Sequence, residues 1–186
     1  YSVSVSGDLN GDGYDDLAVG SPGNDSYATD AGAVLVFYGS SDGIGSTPDL
    51  VLTGESSGSE FGFSVSISSN VNNDNYDDLI VGAPSNGKGK VYVYHGSSSG
   101  LSSTSSWSKE GENSDDEFGF AVSSAGDVDN DGYDDILISA VGYSSGKGKV
   151  YAFHGSSSGL SSSSDWTEEG GSGNGKFGSS LSTAGD

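Results

Sequence analysis

Three stretches of this chain are versions of one another. Residues 1–22 read YSVSVSGDLNGDGYDDLAVGSP, residues 63–84 read FSVSISSNVNNDNYDDLIVGAP, and residues 120–141 read FAVSSAGDVDNDGYDDILISAV. Their acidic loops begin at Asp8, Asn70 and Asp127, spaced by 62 and 57 residues. A fourth copy opens at 177 with FGSSLSTAGD and reaches its first acidic position at Asp186, 59 residues after Asp127. The rest of each unit repeats as well: AVLVFYGSSDGIGS, KVYVYHGSSSGLSS and KVYAFHGSSSGLSS correspond, as do Trp107 and Trp166. A period this long constrains the fold more than any single motif. Each unit is one supersecondary element that buries its apolar face only by stacking on the next.

Each unit reads as four short strands. From Phe61 to Ser68 the pattern alternates, with Val65 and Ile67 on one face and serines on the other. The acidic loop follows. Asp78–Ala83 is nearly all apolar, as in a strand covered on both faces, and Lys90–His95 alternates Val with Tyr. A short fourth strand is expected near Trp107–Glu110. No stretch holds a helical period of useful length. Four strands per unit, repeated, predict an all-β fold, a β-propeller segment of about three four-stranded antiparallel blades plus an extra terminal strand. A β-sandwich would not place equivalent loops at a fixed long period. The units are expected at about 1–60, 61–117 and 118–176, with 177–186 starting a fourth, so that 1–186 is one partial propeller.

Composition narrows the partners. Lys and Arg number 6 against 27 Asp and Glu, a formal charge of −21. That sign opposes nucleic acid and acidic membrane surfaces. There are no cysteines, so no disulfide supports the chain. No segment approaches the ~18 apolar residues of a membrane span. Gly is abundant at 32 residues, yet the 3 Pro and the clustered Val, Ile, Tyr and Phe exclude collagen-like and disordered readings.

The carboxylates are concentrated in the repeated loops. In DLNGDGYDD, Asp8, Asn10 and Asp12 alternate along a curved backbone, Gly13 permits the sharp turn, Tyr14 offers its carbonyl and Asp16 closes the site. The same positions are Asn70, Asn72, Asp74, Tyr76 and Asp78 in the second loop, and Asp127, Asp129, Asp131, Tyr133 and Asp135 in the third. Hard oxygen donors without nitrogen or sulfur suit Ca²⁺. For one such loop alone a polar turn is the competing reading, though the lesser one. Recurrence at positions 1, 3, 5, 7 and 9 argues for the ion. So does repulsion, since two carboxylates ~4 Å apart cost about 4 kcal/mol at an effective dielectric near 20. About three Ca²⁺ sites are expected, and filling them would change the charge from −21 to −15. The third loop has four candidate carboxylates, the first three and the second two, with Asn75 at the turn glycine. The affinities should fall in that order, the Asn70–Asp78 site being weakest. An EF-hand is excluded, because position 12 is Val19, Val81 or Ile138 rather than Glu.

EFGFSVSI, an acidic loop and DDLIVGAP together resemble the FG-GAP repeat of the integrin α-subunit β-propeller. Phe61-Gly62 with Gly82-Ala83-Pro84 matches best; the first unit has Gly20-Ser21-Pro22, and the third has Phe118-Gly119 but departs to Ser139-Ala140-Val141. The resemblance covers the whole chain. It implies calcium in loops between the first two strands of a blade, on one face of a ring that usually has seven blades, with partners often bound on the other. It implies an extracellular or cell-surface protein of adhesion, with a protein or glycan partner. Three units are an incomplete ring, so a fragment of a longer propeller is expected, or a chain that completes its sheets by self-association through exposed blade edges. Asp186 lacks its companion ligands and is not expected to bind.

Enzyme readings fail on context. GSSSG at Gly96 and Gly155, and GSSDG at Gly39, match a nucleophile-elbow pattern but lie among strands at one repeat position. His95 and His154 are equivalent to Tyr38 and read as aromatic place-holders. The GKGK at Gly87 and Gly146 lacks a P-loop frame. No catalytic residue is assigned. Trp107 and Trp166 are weak candidates for stacking on sugar, with blade packing the stronger reading; the alternatives to an adhesion or scaffold module are a carbohydrate-binding propeller or one appended to a secreted hydrolase, and a structural subunit of an extracellular fibre or surface assembly. Asn24-Asp25-Ser26 is a glycosylation sequon.

Overall fold

The computed structural model describes residues 2–68 and 70–183. Three four-stranded antiparallel sheets follow one another in the chain, each a simple meander. The first blade is β1 (Ser2–Val5), β2 (Leu17–Ser21), β3 (Ala33–Phe37) and β4 (Leu50–Thr53). The second is β5 (Ser64–Ser68), β6 (Asp78–Ala83), β7 (Lys90–Tyr94) and β8 (Trp107–Glu110). The third is β9 (Phe118–Gly126), β10 (Asp135–Ala140), β11 (Lys149–Phe153) and β12 (Trp166–Glu169). The first strand of the middle blade, β5, packs beside both β1 and β9. The three sheets are thus blades of a β-propeller segment. Among the described residues one four-residue helical turn, α1 (Tyr143–Gly146), interrupts the strands, with Ser144 and Ser145 in left-handed geometry. No helix of the described residues is long and apolar enough to cross a membrane.

The middle strand of the middle blade shows why the sequence pattern differs from strand to strand. β6 is buried along its whole length. Leu79 and Val81 join Val34, Val36, Leu52, Val65, Tyr92 and Tyr94 in the core between the first two blades. Ile80, between them, faces the core shared with the third blade, beside Val91, Val93, Val122, Ile136, Ile138 and Phe153. A strand with a blade on each side has no solvent face, so alternation disappears. β5 keeps its alternation, with Val65 and Ile67 buried.

The two halves of the repeat motif meet across blades. Phe61 and Phe118 are buried and meet the edges of Tyr92 and Tyr151 at 5.3 and 5.2 Å between ring centroids. Beside them the backbones touch: a Cβ on Gly82 would lie 2.1 Å from the carbonyl oxygen of Gly119. The glycine ending one unit's second strand and the glycine after the next unit's phenylalanine are needed together, because neither leaves room for a side chain. At the third unit Ser139 holds the first of these positions.

One expectation changes. Phe177 docks as its counterparts do, its N–H donating to the Lys147 carbonyl at 3.0 Å. Beyond it, residues 179–183 form no strand, so the extra terminal strand is not formed among the described residues. A first strand of a blade pairs with the second strand of its own sheet, as β1 does with β2. Tyr1, Ser69 and Asp186 lie outside the described residues.

Candidate calcium loops

All three acidic loops connect the first and second strands of a blade. Their backbones are held by the same side chains in the same way. In the first, Asp8 Oδ1 accepts from the N–H groups of Gly11 and Asp12 at 2.6 and 3.0 Å, and Oδ2 from Gly13 at 2.8 Å. Asn10 accepts from Asp12, and Asp12 from Tyr14, each at 3.0 Å. In the second, Asn70 accepts from Asp74 at 2.8 Å and Asp74 from Tyr76 at 3.0 Å. In the third, Asp127 accepts from Asp131 and Gly132 at 3.0 and 2.8 Å, and Asp131 from Tyr133 at 3.0 Å. The turn position has φ of +86° at Gly13 and +93° at Gly132, and Asn75 reaches +73°. Asparagine tolerates this region better than other non-glycine residues, so the turn survives its substitution.

The ninth position is the anchor. Asp16, Asp78 and Asp135 are each 0 % exposed. One oxygen of each accepts from the N–H of the second loop residue: Leu9 at 2.8 Å, Val71 at 2.9 Å and Val128 at 2.9 Å. The other accepts from the glycine after the third strand: Gly39 at 2.8 Å, Gly96 at 3.0 Å and Gly155 at 2.9 Å. Burial pushes all three carboxyls up, against the pull of these hydrogen bonds and with neighbouring aspartates adding to the rise. Asp78 reaches about 7. A buried carboxylate that resists ionisation is stabilised by a cation placed against it.

The third loop meets that requirement most directly. Carboxylate oxygens of Asp127, Asp129 and Asp135 all lie within 4.8 Å of one another, and among the described residues no other three such side chains converge this way. Asp131, though in the expected ligand series, is outside this trio. The first-loop carboxylates Asp8, Asp12 and Asp16 do not close to that distance. Oxygen-only donors at this spacing fit a hard divalent ion.

Two residues acquire contacts that their pattern did not reveal. His154 Nδ1 lies 3.0 Å from Asp129, and His95 Nδ1 lies 3.2 Å from the Asn72 amide. Both imidazoles therefore touch the third loop position of their own blade. The signal available in the sequence was their shared place in the repeat, which Tyr38 also occupies; Tyr38 instead accepts the Leu101 N–H at 2.8 Å from the next blade. The serines of GSSSG are turn residues: Ser97 and Ser156 donate to the Gly100 and Gly159 carbonyls at 2.6 and 2.7 Å. Trp107 is engaged between blades, its ring 5.3 Å from Phe153 and its N–H on the Ser161 carbonyl at 3.3 Å. Trp166, in the last blade, is 49 % exposed. Asn24 accepts from the Ser26 N–H at 2.9 Å in an exposed turn.

The profile of the FG-GAP repeat matches residues 1–37, 61–94 and 118–153, more than half of the chain. The chain belongs to the FG-GAP repeat family. It is 38% identical over 144 residues to integrin alpha-7 of Homo sapiens, covering 76% of this chain and 12% of that protein. It is 40% identical over 152 residues to integrin alpha-PS5 of Drosophila melanogaster, covering 76% and 15%, and 33% identical over 142 residues to integrin alpha-6 of Gallus gallus, covering 76% and 13%. The chain thus spans only a small part of the length of these integrin α relatives.

Proposed function

We propose that this chain is a non-catalytic, calcium-stabilised FG-GAP propeller module, acting outside the cell in adhesion or as a structural scaffold. The observation that carries the reading is the convergence of Asp127, Asp129 and Asp135 within 4.8 Å, repeated in outline by two further loops of a chain in the FG-GAP family. Asp127, Asp129, Asp131, Asp135 and the Tyr133 carbonyl would hold the third ion. Asp8, Asn10, Asp12, Tyr14 and Asp16 would hold the first, and Asn70, Asn72, Asp74, Tyr76 and Asp78 the second. The ion supplies positive charge where buried carboxylates meet, and so locks the turn between the first two strands of each blade.

The relatives are integrin α chains, which supports a cell-surface setting and a protein partner. Trp107, one of the two candidates for glycan stacking, is already engaged with Phe153, which favours a protein partner over sugar. Calcium titration by calorimetry, with thermal melts in calcium and in excess EGTA, tests the reading. Binding of about three ions and a lower melting temperature in EGTA are expected. A melt unaffected by EGTA would overturn it.

A further inference from the structure

Asp77 is the eighth residue of the second loop and outside the alternating ligand series. Its carboxylate turns away from its own loop. Oδ2 accepts the backbone N–H of Asp8, the first residue of the first loop, at 2.6 Å. In return the Asp77 N–H donates to the Asp8 carbonyl at 3.1 Å. The clamp joins two loops 69 residues apart in sequence.

Its surroundings make the contact rigid. The Tyr76 ring fills the space beside Gly11 of the first loop, where an added Cβ would lie 2.5 Å from Cε1. Gly96 donates to Asp78 at 3.0 Å while its neighbour Ser97 donates to the Leu9 carbonyl at 3.1 Å. One short segment therefore holds both loops. Between the second and third loops the backbone half of the arrangement recurs, Asp134 N–H to the Asn70 carbonyl at 3.3 Å.

We infer that Asp77 is a positioning residue that couples the first and second calcium loops, so that an ion in the first tightens binding in the second. The inference rests on the calcium reading above. Asp77 sits between two second-loop donors, the Tyr76 carbonyl and the Asp78 carboxylate. An ion that fixes Asp8 fixes the backbone that Asp77 grips, and with it both donors. The second loop has only two carboxylates, Asp74 and Asp78, in its ligand series, so preorganisation by its neighbour compensates for missing charge. Coupling of this kind is reciprocal.

A double-mutant cycle tests it, with calcium titrations followed by the backbone amide resonance of Asn75 at the turn of the second loop, the first-loop transition being followed separately at Gly13. Asp12→Ala empties the first loop without touching the Asp8–Asp77 clamp. In the otherwise unaltered chain it should weaken calcium binding at the second loop fivefold or more. In an Asp77→Ala background the same change should have no further effect. Asp77→Asn keeps an acceptor for the Asp8 N–H and should retain the coupling, a rescue that also guards against misfolding of the alanine variant. Equal second-loop affinity with and without Asp12→Ala, or an equal ratio in the Asp77→Ala background, would overturn the inference while leaving the calcium reading intact. An Asn75 resonance indifferent to calcium would overturn the inference and the second site, while leaving the third-loop site standing.

Discussion

The second and third loops follow one backbone path with different chemistry. Asn70, Asn72 and Asn75 stand where the third loop has Asp127, Asp129 and Gly132. Their surroundings differ in the same sense. Val71 is 0 % exposed, whereas its counterpart Val128 is 59 % exposed. The second loop lies between neighbours: Asp77 grips the first loop, and the Asn70 and Val71 carbonyls receive N–H groups of Asp134 and Ser156 from the third blade. The third loop has no following blade beside it among the described residues. Under the calcium proposal the two loops separate two contributions, carboxylate number and contact with a neighbouring loop.

The largest expected effect tests what the two loops share. Asp78 and Asp135 are equally buried and each accepts two backbone N–H groups. Replacing either with Ala leaves both donors unsatisfied, at about 1–3 kcal/mol each. Asp78→Ala and Asp135→Ala should each lower stability by about 2–6 kcal/mol in urea unfolding with EGTA present. Asp129→Ala, at an exposed position, should change it by less than about 0.5 kcal/mol. A large loss at one anchor and none at the other would break the equivalence.

The next effect separates the loops by pH. Asp78 has its carboxyl pushed up to about 7 by burial, above the ~3.9 of an unfolded aspartate. The folded, calcium-free protein then holds a proton that the unfolded chain releases. Its contribution to stability is present below about pH 4 and lost as pH rises through about 7. Asp135 and Asp16 are pushed in the same direction. Stability in EGTA should therefore fall between about pH 4 and 7, on the order of 2 kcal/mol from Asp78. Unfolding midpoints across that range check it. Asp78→Asn should flatten the profile near neutrality more than Asp135→Asn does. Equal flattening would mean that enclosure does not distinguish the two anchors.

Much of this was legible in the residues. The spacing of Asp8, Asn70 and Asp127 revealed the blades, and the unbroken Asp78–Ala83 run revealed a strand with a neighbour on each face. Trp107–Glu110 was placed as the fourth strand, which β8 matches. What stayed hidden depends on contacts between units. Asp77 reads as a spare carboxylate beside Asp78, because its partner is 69 residues away. His95 and His154 read as aromatic place-holders, because alignment reports equivalence without direction. Whether Asp8, Asp12 and Asp16 close on one point is a matter of torsions that spacing does not specify.

A smaller effect addresses charge directly. Asn72→Asp gives the second loop the third residue of the third. The new carboxylate would face His95 as Asp129 faces His154 at 3.0 Å. Calcium affinity at the second loop should rise about tenfold, since ligand charge tunes such sites. Titration followed at that loop checks it. An unchanged affinity would indicate that preorganisation by the first loop already dominates.

The smallest expected effect isolates the turn. Asn75 holds φ at +73° where Gly132 holds +93°. Left-handed geometry costs a typical L-residue about 1–2 kcal/mol, and less for asparagine. Asn75→Gly relieves that strain but adds freedom to the unfolded chain, so the two terms largely cancel. Stability should change by less than about 0.5 kcal/mol, and second-loop calcium affinity by less than about twofold. Asn75→Ala, which has neither glycine's freedom nor asparagine's tolerance, should cost about 1 kcal/mol. The pair of variants divides the difference between loops into backbone and charge. If Asn75→Gly alone brought the second loop to the affinity of the third, the turn would be the cause and the missing carboxylates incidental. The hydrogen bonds argue otherwise, because Asn70 and Asp127 both receive the N–H of the fifth residue, at 2.8 and 3.0 Å, whichever residue makes the turn.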